Sequence, residues 1–248
     1  MNTILERRSI RRFAKRPVSQ KTLKTLIDAG QRAPTSCGTQ FYSFIEVRSM
    51  TKRIAITELV GENQALESAP IWLFVCCDAA RPMKIFEMLK IDCHLGEVTT
   101  LVQSLIDASL AAQNIVIASE ALGLASVFTI YHWKALGEIA DLLHLPHNVM
   151  PLLLLCIGYP AEKPPLRPRW GTEIVFHVNR YGLPAKQTML RHYGKSNASL
   201  VRMGYFSKGV ESLAQHWQRK FLTKDMVLRE RKLRTELKKL GFLPRRFE

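Results

Sequence analysis

The stretch AAQNIVIASEALGL, residues 111–124, carries the pattern that decides the fold. It continues a run of apolar residues spaced three and four apart, which predicts one long helix from about Val98 to Leu122. Its alanines would let another helix or a partner subunit pack closely. Gly123 stands where helices commonly end, because glycine adopts the left-handed conformation without strain. Residues 125–130 then predict a short strand.

The elements around this helix alternate between helices and strands. Ser19 can cap a helix over residues 19–32, which ends at Ala33–Pro34. Residues 41–47 are rich in aromatic and branched side chains and predict a strand. The apolar runs Ile71–Cys77 and Pro151–Ile157 are typical of strands buried on both faces. The class is therefore mixed α and β.

The charge is distributed unevenly along the chain. Of the net +15, residues 1–60 carry +8, residues 61–160 carry −6 and residues 161–248 carry +13. The basic ends either bind anions, such as phosphates of a cofactor or a nucleic acid, or form solvated surface. Aromatic side chains are not interleaved with the basic runs, and no nucleic-acid motif is present, so nucleic-acid binding is the weaker expectation.

Length and composition exclude several classes of protein. A chain of 248 residues with 47% hydrophobic content fits one large domain, or one domain with an appendage. No run of eighteen apolar residues indicates a transmembrane helix, and no secretory signal is visible. The five cysteines are odd in number and mostly adjoin apolar stretches, which favours buried thiols in a reducing cytoplasm over disulfides. The seven histidines contain no H-x-x-x-H pair, which disfavours a metal enzyme.

The chain changes character after the turn Gly158–Tyr159–Pro160. Residues 161–170 are rich in proline and must be extended. Residues 222–240 predict a strongly basic helix. We therefore expect a core over residues 1–170 and a basic helical extension over residues 171–248, which packs on the core or on a partner subunit.

Three segments could carry chemistry. The arginine segment, Arg7 to Phe13 (RRSIRRF), offers guanidinium groups and a hydroxyl that suit a phosphate, although a basic surface arm has the same composition. The loop Ala33–Gln40 holds small hydroxyl residues and a glycine, so its backbone amides can approach a ligand, unless it is only a connection. The third segment, Arg167–Pro168–Arg169, holds two arginines at a fixed separation.

In order and spacing, these segments resemble the nitroreductase family. That family has RRSIR near its N-terminus, an APxS loop, an alanine-rich helix like residues 111–124, a GYP turn and a late basic pair. The subgroup that this chain most resembles comprises the oxygen-insensitive NADPH nitroreductases and the NADPH–flavin oxidoreductases. The resemblance implies an α+β nitroreductase-like fold: a central, mainly antiparallel sheet flanked by helices, in an intertwined homodimer. Two FMN sites, each built from both chains, would lie at the subunit interface.

The resemblance also implies which residues hold the cofactor. The arginine segment matches the part that binds the FMN phosphate, and a loop serine matches a contact to the isoalloxazine. An amide side chain at position 63 or 64 faces the flavin pyrimidine, residues 128–131 run along the ring system, and the late basic pair completes the site. The expected cofactor-binding residues are Arg7, Arg8, Ser9, Arg11, Ser36, Asn63, Gln64, Phe128, Tyr131, Arg167 and Arg169. Lys208 matches a contact to the NADPH 2′-phosphate, or is plain surface charge.

The activity implied is a ping-pong hydride transfer from NADPH or NADH, through FMN, to a nitroaromatic, a quinone or free flavin. The cofactor carries this chemistry, so no catalytic side chain is needed. Arg11 or Arg167 would place positive charge near the flavin N1 and O2 atoms. The chain departs from the subgroup at Ile130–Tyr131, where Gly-Gly is usual. This bulk keeps a second hypothesis open: a flavin-binding protein for sensing or storage with little reductase activity.

Overall fold

The structure, a computed structural model, describes residues 2–61, 63–93, 95–130, 133, 135–221 and 224–244. The chain divides into two compact units, Met1–Pro164 together with Arg229–Glu248, and Pro165–Leu228. The C-terminal twenty residues thus belong with the first unit. The predicted division between residues 170 and 171 stays a prediction.

Helices and strands alternate along the first unit. In chain order they are α1 (Asn2–Leu5), α2 (Gln20–Gly30), β1 (Tyr42–Glu46), α3 (Met50–Val60), α4 (Gln64–Ser68), β2 (Ile71–Asp78), α5 (Ala80–Met88), α6 (Glu97–Ala121), β3 (Ala125–Thr129), α7 (Leu136–Leu142) and β4 (Val149–Gly158). The second unit contains α8 (Thr172–Val175), α9 (Lys186–Arg202) and α10 (Leu213–Phe221). The basic helix α11 (Lys224–Lys239) confirms the helix predicted in the tail, whereas α9 was not anticipated.

The strands form one sheet in the order β1-β2-β4-β3, with every neighbouring pair antiparallel. This confirms the mainly antiparallel sheet and the predicted strands. Every residue of β2 is buried, because its alternate side chains enter two different cores. Trp72, Phe74 and Cys76 join one core, while Val75 and Cys77 pack toward α6 on the other side.

The long helix α6 confirms the prediction from residues 98–122, and Gly123 beyond it has the expected positive φ of 71°. Its small residues Ala108, Ala111 and Ala112 are fully buried. The helix that packs closely on α6 is α2 of the same chain. At Gly30 of α2, a Cβ would lie 2.8 Å from Cγ1 of Ile115, so the crossing tolerates glycine and little else.

The opposite face of α6 is apolar and exposed. Val98, Val102, Ile106 and Leu110 recur every four residues and are 40–54% exposed. We call them the α6 stripe. Among the described helices, α6 is the one that is long and apolar enough to cross a membrane by length and composition. That is weak support for a membrane span, because α6 also buries polar residues such as Asp107 and Ser119 against its own fold.

Both chain ends are anchored in the first unit. Ile10 and Phe13 are buried in its core, and Phe242, just beyond α11, is buried beside the small residues of α6. Of the five cysteines, all of which are free thiols, Cys37 and Cys93 are exposed and the other three are buried. Burial raises the pKa of those three thiols well above the usual range.

Candidate functional site

The arginine segment is fixed in place by its apolar residues and its backbone. Ile10 and Phe13 are buried in the core. The backbone is held at both ends of this stretch: the Ile10 amide donates to the Ser126 carbonyl at 3.1 Å, and the Ala14 amide, just after Phe13, donates to the Tyr159 carbonyl at 2.9 Å. Ser9 consequently forms a parallel bridge with Ser126 of β3. The segment is therefore an ordered part of the fold and not a free basic arm.

The arginines of this segment have different surroundings. Arg7, Arg8 and Arg11 are half-buried, whereas Arg12 is exposed. The Nε atom of Arg8 is buried without a hydrogen-bond partner, although its Nη1 donates to the Glu6 carbonyl at 3.0 Å. An N–H group buried in this way is costly unless water or a ligand accepts from it.

Carboxylates also lie close to the arginine segment. One oxygen of Glu162 accepts from the backbone amides of Arg11 at 2.6 Å and Arg12 at 3.2 Å. Near the end of α6, burial raises the pKa of Glu120, while Arg7 and Arg8 act against the shift. A cavity of about 600 Å³ beside Arg8 is lined by Glu6, Glu120 and Glu162 as well as by cations. The three carboxylates make this cavity unsuitable for a phosphate. An anion bound by the arginine segment must therefore meet its guanidinium groups on a side that these carboxylates do not line.

The loop between α2 and β1 is rigidly held. Its backbone adopts positive φ at Cys37 (51°), Gly38 (70°) and Gln40 (52°), a conformation that costs non-glycine residues about 1–2 kcal/mol each. The hydroxyl of Thr39 donates to the Ser36 carbonyl at 2.6 Å and closes the turn. The loop therefore presents Ser36 on a fixed backbone.

Two charged side chains hold this loop: one accepts hydrogen bonds from its backbone amides, and the other donates to its backbone carbonyls. Asp107 of α6, only 1% exposed, accepts from the backbone amides of Ser36 at 3.3 Å and Phe41 at 3.1 Å. Arg81 of α5 donates to the carbonyls of Gln40 at 2.6 Å and Tyr42 at 2.7 Å. We call Asp107 and Arg81 the loop clamp. Sequence reasoning missed both residues, although a carboxylate among buried alanines on an apolar helix face was a signal.

The structure distinguishes between the two candidate amides. The side-chain oxygen of Asn63 accepts from the Ala65 amide at 2.9 Å and caps α4, whereas the side chain of Gln64 is exposed. Gln64 is therefore the better placed of the two to meet a ligand. Phe128 of β3 is 37% exposed, two residues beyond the bridge to Ser9. Tyr131 lies outside the described residues.

The remaining candidates, Arg167, Arg169 and Lys208, lie in the second unit. The guanidinium of Arg167 stacks 4.5 Å above the ring of Tyr205. Nη1 of Arg169 donates to the Pro168 carbonyl at 3.2 Å, and Lys208 is exposed. Among the side chains that the structure describes, no cluster of His, Cys, Asp and Glu could hold a metal ion.

Within one chain, the arginine segment and the loop lie against different parts of α6. The loop is bonded to Asp107 and the arginines adjoin Glu120. These positions are thirteen residues apart, and at 1.5 Å per residue they are separated by roughly 20 Å along the helix axis. The two segments do not form one pocket in a single chain.

Comparison with known proteins identifies the family. The family model described as "Nitroreductase family" matches residues 4–159. The oxygen-insensitive NADPH nitroreductase of Salmonella typhimurium is 31% identical over 211 residues, covering 85% of this chain and 84% of that protein. The NADPH-flavin oxidoreductase of Vibrio harveyi is 32% identical over 181 residues, covering 73% and 74%. The chain belongs to the nitroreductase family.

A solved structure also matches nearly the whole of this chain. The NADPH:FMN oxidoreductase from Vibrio harveyi, in complex with NAD+, superposes with a TM-score of 0.81 at 26% identity, over 99% of this chain and 98% of that one. The resemblance inferred from the arginine segment and the alanine-rich helix is thereby confirmed. The individual cofactor-binding residues of this nitroreductase-family chain stay predictions.

Proposed function

We propose that this nitroreductase-family protein is an FMN-dependent NAD(P)H oxidoreductase that reduces nitroaromatics, quinones or free flavin. The observation that carries this function is the pair of relatives that are 31% and 32% identical, a NADPH nitroreductase and a NADPH-flavin oxidoreductase, each matched over most of its own length. When bound, FMN supplies the hydride chemistry between NAD(P)H and the acceptor, while the protein binds and orients both substrates.

The arginine segment fits the phosphate of FMN. Its half-buried guanidinium groups offer charge-assisted, bidentate hydrogen bonds, and the buried Nε of Arg8 lacks an acceptor. Because Glu162 already takes the amides of Arg11 and Arg12, we assign the phosphate to the side chains of Arg7, Arg8, Ser9 and Arg11. From the resemblance we also assign Arg167 and Arg169 to the FMN phosphate.

The flavin ring would be oriented by groups that the fold holds still. Ser36 lies on the clamped loop, Gln64 offers an exposed amide at the start of α4, and Phe128 offers part of an aromatic face. Arg11 or Arg167 would stabilise negative charge near N1 and O2, where a charge-assisted hydrogen bond contributes about 1.5–3 kcal/mol. Lys208 is our candidate for the NADPH 2′-phosphate.

We further propose that the protein is a homodimer. The loop and the arginine segment lie roughly 20 Å apart along α6, so one flavin can meet both only if a second copy supplies one of them. The α6 stripe supports the same proposal, because it is a continuous apolar face that stays exposed among the described residues. A two-fold interface would cover this face on both copies and complete two sites together.

All five cysteines are free, which supports a cytoplasmic location.

Purification tests the function directly. We expect a yellow protein that releases FMN on denaturation and whose flavin absorbance bleaches with NADPH under anaerobic conditions. A colourless protein that neither takes up FMN nor oxidises NADPH would refute the proposal. Tight FMN binding without turnover on quinones, nitroaromatics or flavins would instead establish the sensing or storage role.

A double substitution tests the phosphate assignment. Replacement of Arg7 and Arg8 by alanine should weaken FMN binding at least tenfold, since each charge-assisted contact contributes about 1.5–3 kcal/mol. The matched control is Arg12→Ala, which removes an exposed arginine of the same segment and should leave FMN affinity within about twofold. Equal losses in the two variants would show that net charge, and not this pair of side chains, holds the phosphate.

A further inference from the structure

A cavity of about 540 Å³ lies between the C-terminal tail and the rest of the first unit. Its lining combines the carboxylate of Glu97, the hydroxyl of Thr100 and an apolar wall. We propose that this cavity binds a free α-amino acid with a large apolar side chain. The site goes beyond the proposed function, because none of its lining residues is assigned to FMN or NADPH.

The wall that the tail contributes is held by close backbone packing. The Asn148 amide donates to the Leu240 carbonyl at 2.8 Å, and the Asn148 carbonyl accepts from the Ala79 amide at 2.9 Å. Gly241 has a φ of 84°, and a Cβ at this position would overlap the side chains of His147 and Asn148. The cavity is therefore formed before a ligand binds, which lowers the cost of binding.

A buried hydroxyl without a partner lines the cavity. Thr100 of α6 is only 6% exposed, and its hydroxyl oxygen has no hydrogen-bond partner. Such a group is costly unless a ligand or a water molecule bonds to it. Thr100 lies in the first turns of α6, whose cap residue Gly96 offers the helix no side-chain hydrogen bond. The first amides of a helix and a hydroxyl beside them are donors that suit a carboxylate.

The carboxylate of Glu97 lines the same cavity, three residues before Thr100. Residues three apart on a helix are neighbours, with Cβ atoms about 5–6 Å apart. Glu97 is exposed, and within the described part of the chain no salt bridge engages it. Its charge suits an ammonium group. Donors for a carboxylate beside an acceptor for an ammonium match an α-amino acid, in which one carbon carries both charged groups.

The apolar wall favours a large side chain. Met83 of α5, Leu95 and Leu243 line the cavity. Met83 and Leu95 also line a second cavity of about 210 Å³, together with Phe86 and Ile91. The apolar surface thus continues beyond the first cavity and can take up a long side chain. We therefore assign the site to amino acids of the size of leucine, methionine or phenylalanine, and not to alanine.

The groups that carry this site are separate from the α6 stripe. Thr100 lies roughly 160° around the helix from Val98 and from Val102. A second copy that covers the stripe would therefore meet the opposite face of α6. Lys238 also lines the cavity, but it has an interaction of its own, and we assign it no contact with the ligand.

Calorimetric titration of the FMN-loaded, full-length protein tests the site with four compounds. L-Leucine carries all three recognised groups, whereas 4-methylpentanoate lacks the ammonium, 3-methylbutylamine lacks the carboxylate and L-alanine lacks the large side chain. We expect L-leucine to bind, and each of the other three compounds to bind at least about tenfold more weakly. This pattern distinguishes a site for a zwitterion from a site for any apolar anion or amine.

Two variants with matched controls locate the binding. Glu97→Gln removes the charge that meets the ammonium, and should weaken L-leucine about tenfold while leaving 4-methylpentanoate unchanged. Glu58→Gln changes an exposed glutamate of α3 that does not line the cavity, and should leave L-leucine binding unchanged. Thr100→Val should weaken L-leucine and 4-methylpentanoate alike, about fivefold, because both carry the carboxylate. Thr99→Val, at the exposed neighbouring position, should change neither.

Three results would overturn the site: no binding of L-leucine, equal binding of L-leucine and 4-methylpentanoate, or equal effects of Glu97→Gln and Glu58→Gln. Unchanged thermal unfolding of each variant checks that a loss of binding does not come from a loss of α6. Failure of the proposed function looks different, because a protein without FMN or turnover would still bind L-leucine here.

Discussion

Asp107→Asn should loosen the loop that carries Ser36 while leaving the rest of the fold in place. The carboxylate is 1% exposed and accepts from two backbone amides at 3.3 and 3.1 Å. Asparagine has nearly the same shape, but one of its two terminal groups is an NH2 that donates, so it can accept from only one of the two amides. The other amide is left facing a donor in a buried place.

The lost contact is a hydrogen bond to a charged acceptor, which contributes about 1.5–3 kcal/mol. The clamp also holds Cys37 and Gln40 at positive φ, so a weakened clamp lets the loop relax away from the conformation that we assign to flavin binding. If the loop must be re-ordered when FMN binds, about 2 kcal/mol appears as a loss of roughly 30-fold in FMN affinity.

The assay pairs FMN titration, followed by quenching of flavin fluorescence, with hydrogen exchange at the Ser36 and Phe41 amides. Both amides should exchange faster in Asp107→Asn. Asp141→Asn is the control, because Asp141 is an exposed carboxylate on α7. Unchanged FMN affinity together with unchanged exchange would refute the role of Asp107; faster exchange with unchanged affinity would show that the loop does not contact the flavin.

Four further substitutions test packing, linkage and assembly. Gly30→Ala should lower the free energy of unfolding by about 1–3 kcal/mol, since its Cβ would meet Ile115 at 2.8 Å. Gly194→Ala, in open space on α9, should raise the free energy of unfolding by about 0.5–1 kcal/mol. Chemical denaturation measures both changes. Burial raises the folded-state pKa of Glu120, so the charged form of this side chain destabilises the fold. Glu120→Gln should therefore be more stable than the wild type at neutral pH, and this difference should vanish as the pH falls below the unfolded-state pKa. Denaturation curves recorded at a series of pH values measure the difference. Ile106→Lys, in the centre of the α6 stripe, should convert a dimer to monomers in analytical ultracentrifugation and release FMN; a wild-type protein that is already monomeric would disprove the dimer.

Much of the fold could be predicted because its signals are local. The period of α6 and the left-handed glycine after it follow from neighbouring residues, as does the Ser19 cap of α2. The apolar runs of β2 and β4 are likewise visible in short windows. Helix α9 escaped prediction because it buries only Ser196 and Leu200, so its sequence has no wide apolar face.

The candidate site was predictable in its residue types and not in its contacts. Arginines and a loop serine are visible in the sequence, and family order connects them. The carboxylates that organise them are 71 residues from Ser36 and 151 residues from Arg11 along the chain. Such contacts depend on how the sheet brings distant segments together, and no spacing rule reports them.

We propose that helix α6 links cofactor binding to assembly. Asp107 on one part of it fixes the loop, Glu120 on another part adjoins the arginines, and the exposed stripe from Val98 to Leu110 occupies its outer face. If a second copy covers that stripe and completes the flavin site, FMN binds the dimer more tightly than the monomer. By linkage, FMN then stabilises the dimer by the same free energy. A change on the outer face of α6 would therefore weaken FMN retention through assembly.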